Sequence, residues 1–105
     1  MSEANVTRHA HKRLRKRVGL PKSAVQNNAR KALLYGVTHA ETTGGLHRYL
    51  DYLWHQHETA NNVRVYCGSV YIFCGDTLVT VWPLPEKFRK RAQDLAKKKG
   101  GQENA

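Results

Sequence analysis

The sequence predicts an α+β domain: N-terminal helices packed on one face of a small antiparallel sheet (a three-stranded meander), then a short C-terminal basic helix. Three observations carry this. Apolar residues recur at helical spacing through the first half of the chain, and the period drops to two from Val63 onward. Gly and Pro separate the two regimes and punctuate each of them. A length of 105 residues, 40% of them hydrophobic, suits one domain with its own core.

Residues 1–6 read as a flexible start and residues 7–99 as the domain. Thr7 stands where its side chain can cap a first helix that ends at Gly19. Ala10, Leu14 and Val18 form a narrow apolar stripe, and His9, Arg13 and Arg17 form a second stripe beside it. Pro21 breaks the chain, and Ser23 is placed to cap a second helix running to Tyr35, with Val25, Ala29, Ala32 and Leu33 in period. Gly36 closes it. Val37 to Gly45 reads as a loop that holds His39 and Glu41. A third helix covers Leu46 to His57, with Leu46, Tyr49, Leu50, Leu53 and Trp54 at core spacings.

After a turn at Asn61-Asn62, the strands read as Val63–Cys67, Val70–Cys74 and Thr77–Trp82, joined at Gly68-Ser69 and Gly75-Asp76. Pro83 and Pro85 end the sheet. Glu86 to Lys99 is the basic helix, and residues 100–105 read as a disordered tail. Two-residue loops set the register. They place Val63, Val65, Cys67, Val70, Ile72, Val79 and Val81 on one aliphatic side, the seat for the helices. Arg64, Tyr66, Tyr71 and Thr80 fall on the other side, extended by Phe73, Leu78 and Trp82. A side bearing hydroxyls, aromatic rings and a guanidinium suits a phosphodiester with stacked bases. The same residues are also ordinary strand formers on a half-exposed surface.

Charge points to a partner. Eighteen Lys and Arg against eight Asp and Glu give a formal net charge of +10. The excess is clustered, with nine cations between Arg8 and Lys31 and seven between Lys87 and Lys99. Such a field attracts polyanions, so nucleic acid is the expected partner. An acidic protein partner or inhibitor fits the same charge. No membrane partner is expected: no segment reaches the roughly 18 apolar residues of a span. The opening Met-Ser-Glu-Ala-Asn lacks signal-peptide order, so a cytoplasmic location is expected. Cys67 and Cys74 form no metal-like pair and lie about 13 Å apart in the expected register, too far for a disulfide. They read as small hydrophobes of the sheet.

Six histidines raise the question of metal. His9/His11 and His55/His57 are two apart, which on a helix turns them away from each other, and no metal or other cofactor is expected. Acid–base chemistry fits better. Metal-free RNA cleavage needs a group to take the 2′-hydroxyl proton, a donor for the leaving oxygen and cations for the phosphorane. His9 and His39 are the proton-transfer candidates, Arg13 the phosphate clamp, and Thr80 or Tyr71 a hydroxyl donor.

The run T-R-H-A-x-K-R-x-x-x-R-x-G-L (Thr7 to Leu20), the later helices, the hairpin and the closing L-V-T-V (Leu78 to Val81) together resemble the barnase–EndoU–colicin–RelE group of ribonuclease-like folds. The likeness covers most of residues 7 to 85 and is strongest to small members found in phages and toxin modules. It implies metal-independent RNA cleavage through a cyclic phosphate, with His9, Arg13, Tyr71 and Thr80 as catalytic residues. Nucleic-acid contacts would come from Arg8, Lys12, Lys16, Arg17, His39, Arg64 and Tyr66. The sequence therefore supports an endoribonuclease, a non-catalytic nucleic-acid or ribonucleoprotein-binding regulator of phage type, or a module for an acidic protein.

Overall fold

A computed structural model of the chain describes residues 4–57 and 60–99. The expected tail at 100–105 and the first three residues lie outside them. Thr7 caps the first helix: its Oγ1 accepts from the Ala10 N–H at 3.1 Å, while its backbone stays extended. Helix α1 (Arg8–Arg13) runs on into a π-helical turn (Leu14–Val18) and stops at Gly19, whose φ of 78° is left-handed. Ala10 and Leu14, from the apolar stripe, are fully buried. The chain before the cap is not loose through residue 6. Asn5–Val6 forms a short strand, β1, parallel to Thr77–Leu78, and Ala4 is buried.

Helix α2 (Val25–Tyr35) follows a 3-10 turn, Lys22–Ala24, and buries Val25, Ala29 and Ala32. Ser23 lies within that turn, and α2 starts without a side-chain cap. The expected loop after Gly36 contains a strand, β2 (Val37–Thr38), and a 3-10 turn, His39–Glu41. Glu41 Oε1 accepts from Thr38 N at 2.8 Å and Thr38 Oγ1 at 2.9 Å, a capping box that sets where the chain turns. Helix α3 (Gly44–Gln56) buries Leu46, Leu50 and Leu53 at the expected spacing.

The meander consists of β3 (Asn62–Tyr66), β4 (Ser69–Cys74) and β5 (Thr77–Pro83), and α4 (Glu86–Lys99) follows. With the two short strands the sheet has five members in the order β1-β5-β4-β3-β2. The first hairpin turns at Cys67-Gly68, one residue earlier than expected, with φ of 47° and 80°. Two positive φ values match the right-handed twist of the flanking strands. The earlier turn moves each partner by two residues, so Val63 faces Ile72 and Val65 faces Val70, and the faces of β3 and β4 stay as read. Cys67 and Cys74 are free thiols and exposed, rather than packed in the sheet.

The second hairpin turns at Gly75-Asp76 as expected, pairing Cys74 with Thr77 and Phe73 with Leu78. One residue is then inserted: Ile72 faces Thr80 and Tyr71 faces Val81, so Val79 is the extra residue of a β-bulge. Beyond the bulge the sides exchange. Thr80 and Trp82 join Val70 and Ile72, while Val81 joins Tyr71, Phe73 and Leu78, the last of which precedes the bulge and keeps its expected side.

Both sides of the sheet are consequently covered, and the expected one-sided packing is corrected. Val63, Val65, Val70 and Ile72 bury against Leu46, Leu50 and Leu53 of α3 and Ala92 of α4. Tyr71, Phe73, Leu78 and Val81 bury against Ala10 and Leu14 of the first helix and Val25, Ala29 and Ala32 of α2. The reason is apolar area: burying a side chain such as Phe73 or Leu78 is worth about 1.5–3 kcal/mol. A side carrying Tyr71, Phe73, Leu78 and Val81 is too apolar to leave in water. Among the described residues no helix is long and apolar enough to cross a membrane.

Candidate nucleic-acid interface

Residues 4–40 contain no Asp or Glu, although they hold nine Lys and Arg. Within that span, Arg8, Lys12, Arg15 and Lys16 are exposed along one side of the first helix, where positions i, i+4, i+7 and i+8 meet. They line an open groove with His9 and His11. Among the described residues the only Lys or Arg within 4 Å of a carboxylate is Lys99, which pairs with Glu41 at 2.8 Å. Among the described residues the cations of the first helix therefore have no acidic partner within 4 Å, and a groove lined with one sign of charge concentrates counter-ions of the other. Helix α4 carries as dense a cation set but interleaves it with Glu86 and Asp94.

The other expected contacts have structural duties. Arg17 Nη1 donates to Val81 O at 3.0 Å on the edge of β5, and its guanidinium lies 4.2 Å from the Trp82 ring centroid. Arg64 donates from Nε to Asn62 Oδ1 at 2.9 Å and from Nη1 to Gly36 O at 3.3 Å, at the C-terminus of α2. Tyr66 is half-buried, edge-on to Tyr71 with centroids 6.2 Å apart.

The four expected catalytic residues do not meet. His9 and Arg13 are together on α1, with Arg13 Nε donating to His9 Nε2 at 3.2 Å. That bond occupies the lone pair a general base would use at this nitrogen. Tyr71 is fully buried beneath α2 and its hydroxyl donates to Asn28 Oδ1. Burial, with smaller effects of Cys67 and Tyr66, pushes its phenol well above the ordinary tyrosine range. Thr80 lies on the opposite side of the sheet and is 2% exposed. The bulge at Val79 is the physical cause, because it turns Thr80 away from the face that bears Tyr71.

His39 belongs to a different cluster. Its Nε2 lies 2.6 Å from Asp51 Oδ1, and its ring stacks on His47 with centroids 4.2 Å apart. His47 Nε2 lies 3.7 Å from Asp51 Oδ2. Histidines two apart do not reveal this set, whose signal in the sequence is the i, i+4 spacing that puts His47 and Asp51 on one helical face. His39 joins them only through the 3-10 turn.

Comparison with protein-family models, curated proteins and solved structures found no match to this chain.

Proposed function

We propose that the protein binds nucleic acid through the first helix, as a non-catalytic phosphate-reading module, with RNA as the favoured polymer. The observation that carries this reading is the acid-free row Arg8, Lys12, Arg15 and Lys16, exposed on one helical side. Cations without carboxylate partners gain by neutralising phosphates, because each contact releases condensed counter-ions. The preference for RNA comes from the likeness of Thr7 to Leu20 to ribonuclease-like folds. Catalysis through His9, Arg13, Tyr71 and Thr80 is not adopted, since two of the four are buried on opposite sides of the sheet.

The test is binding to labelled single-stranded RNA across a salt series in EDTA. The wild type should bind in a salt-sensitive way and leave the RNA intact. Lys12→Ala/Lys16→Ala should weaken binding to all sequences alike and make the slope of log affinity against log salt shallower by about 0.7 per lost contact. Lys90→Ala/Lys97→Ala on α4 should change it less. An unchanged slope in the Lys12→Ala/Lys16→Ala variant would overturn the reading. RNA cleavage that disappears in His9→Ala would restore the endoribonuclease.

A further inference from the structure

We propose that His39, His47 and Asp51 form a site for a divalent transition-metal ion of the zinc class, with one coordination position facing solvent. The three candidate ligand atoms lie within 4.8 Å of one another. His47 and Asp51 come from successive turns of α3, a 13-residue helix, and His39 from the 3-10 turn that precedes it. Two imidazoles and one carboxylate favour zinc, copper, nickel or iron over magnesium and calcium. Three protein ligands leave a fourth position for water or an exogenous donor. Asp51 has 47% of its side chain exposed, so an ion can reach the cluster from solvent.

The surrounding bonds orient His47 as a ligand. Its Nδ1 lies 3.2 Å from His39 O and 3.1 Å from Thr42 Oγ1. The carbonyl can only accept, and the Thr42 hydroxyl already donates to that carbonyl at 2.7 Å. Nδ1 therefore carries a hydrogen, and in the neutral ring this leaves Nε2, on the Asp51 side, as the nitrogen with the lone pair. In that tautomer two acceptors face each other at 3.7 Å, an arrangement that a cation, whether a proton or a metal ion, satisfies. A ring nitrogen held by a backbone carbonyl while the other meets the metal is the usual outer support of histidine ligands. Bond lengths of about 2.0–2.2 Å to zinc place tetrahedral ligand atoms about 3.4 Å apart. The contacts at 2.6 Å and 3.7 Å, one to each Asp51 oxygen, bracket that spacing, and all three ligand atoms lie within 4.8 Å of one another, so side-chain adjustments of about 1 Å bring them to it.

The test uses the full chain after EDTA treatment and dialysis, titrated with Zn²⁺ by calorimetry and with Co²⁺ by visible absorption. One equivalent should bind, and Co²⁺ should develop the absorption of a low-coordinate site. His39→Gln, His47→Gln and Asp51→Asn should each lower Zn²⁺ affinity more than about 100-fold, beyond the loss typical of outer-shell partners. His9→Gln/His11→Gln should leave it unchanged. Asp51→Asn is the decisive variant, because a half-exposed carboxylate can be replaced without unfolding the chain. Wild-type binding that survives Asp51→Asn undiminished, or that is lost in His9→Gln/His11→Gln, would overturn the site, as would no binding at all. None of these readouts involves nucleic acid, so the metal site and the RNA surface stand or fall separately.

Discussion

The guanidinium of Arg17 lies over the Trp82 ring, 4.2 Å from its centroid, while its Nη1 donates to Val81 O at 3.0 Å. Trp82 Nε1 donates in turn to His57 Nε2 at 3.2 Å. Strand β1 covers β5 only at Thr77 and Leu78, and the carbonyls beyond are taken by the first helix. Thr7 N donates to Leu78 O at 3.2 Å, Thr7 Oγ1 to Val79 O at 3.3 Å, and Arg17 to Val81 O. The helix thus covers a strand edge that would otherwise be open to pairing with another chain.

Arg17→Ala should therefore destabilise the fold. A hydrogen bond from a charged group and a cation–π contact together make a loss of about 2 kcal/mol reasonable for this half-buried side chain. Urea unfolding measures it. Arg17→Lys keeps the charge but not the planar fork, and should recover less than half of the loss. Full stability of Arg17→Ala would show that the edge needs no cation.

Tyr71→Phe removes the hydroxyl that satisfies Asn28 Oδ1 and keeps the ring in the core. A loss of about 1 kcal/mol is expected, with RNA affinity and its salt slope unchanged. A drop in RNA binding at constant stability would return Tyr71 to the binding surface.

Gly36→Ala should be costly for a steric reason, since the φ of −62° suits any residue. A Cβ there would stand 2.5 Å from Ala32 O and 2.8 Å from Arg64 Cβ, and the first of these is backbone. About 1–3 kcal/mol is the expected penalty for such overpacking. Backbone movement to relieve that clash would also displace Gly36 O, where Arg64 and Lys99 converge at 3.3 and 2.9 Å. Thermal unfolding decides between this outcome and a tolerant site.

Glu41 should contribute to acid sensitivity. Burial pushes its carboxyl up, but hydrogen bonds from Lys99 and from the backbone and side chain of Thr38 outweigh that and hold it at about 2, against an ordinary 4.5. A carboxyl depressed in the folded state stabilises above its unfolded value, and that contribution is lost as pH falls from about 4.5 toward about 2. Its side chain is 41% exposed, so solvent screening keeps the effect small. Glu41→Gln should be less stable than the wild type at pH 7 and lose less on acidification to pH 3. Parallel loss in both proteins would contradict this account.

The helices and the meander were legible because their signals are local. Ala10 and Leu14, or Leu46, Leu50 and Leu53, repeat at the helical period, and Val63, Val65, Val70 and Ile72 alternate. The cation row was equally legible, since Arg8, Lys12 and Lys16 need only a helix to share one side. Strands β1 and β2 were not, because two residues cannot display a period and both are held by partners far along the chain.

Residue spacing and charge alone define the α+β class, the apolar faces of the first three helices and the basic character of the first. Tertiary structure alone decided where Thr80 and His39 point. In Thr77–Trp82, Leu78 and Val79 are both apolar, so alternation does not reveal which residue is extra, and pairing with β4 against helices on both sides selects Val79 as the bulge. His39 and Asp51 are twelve positions apart and meet only when a capped turn folds back on α3. Local spacing sets secondary structure, whereas register and encounter depend on area buried between distant segments.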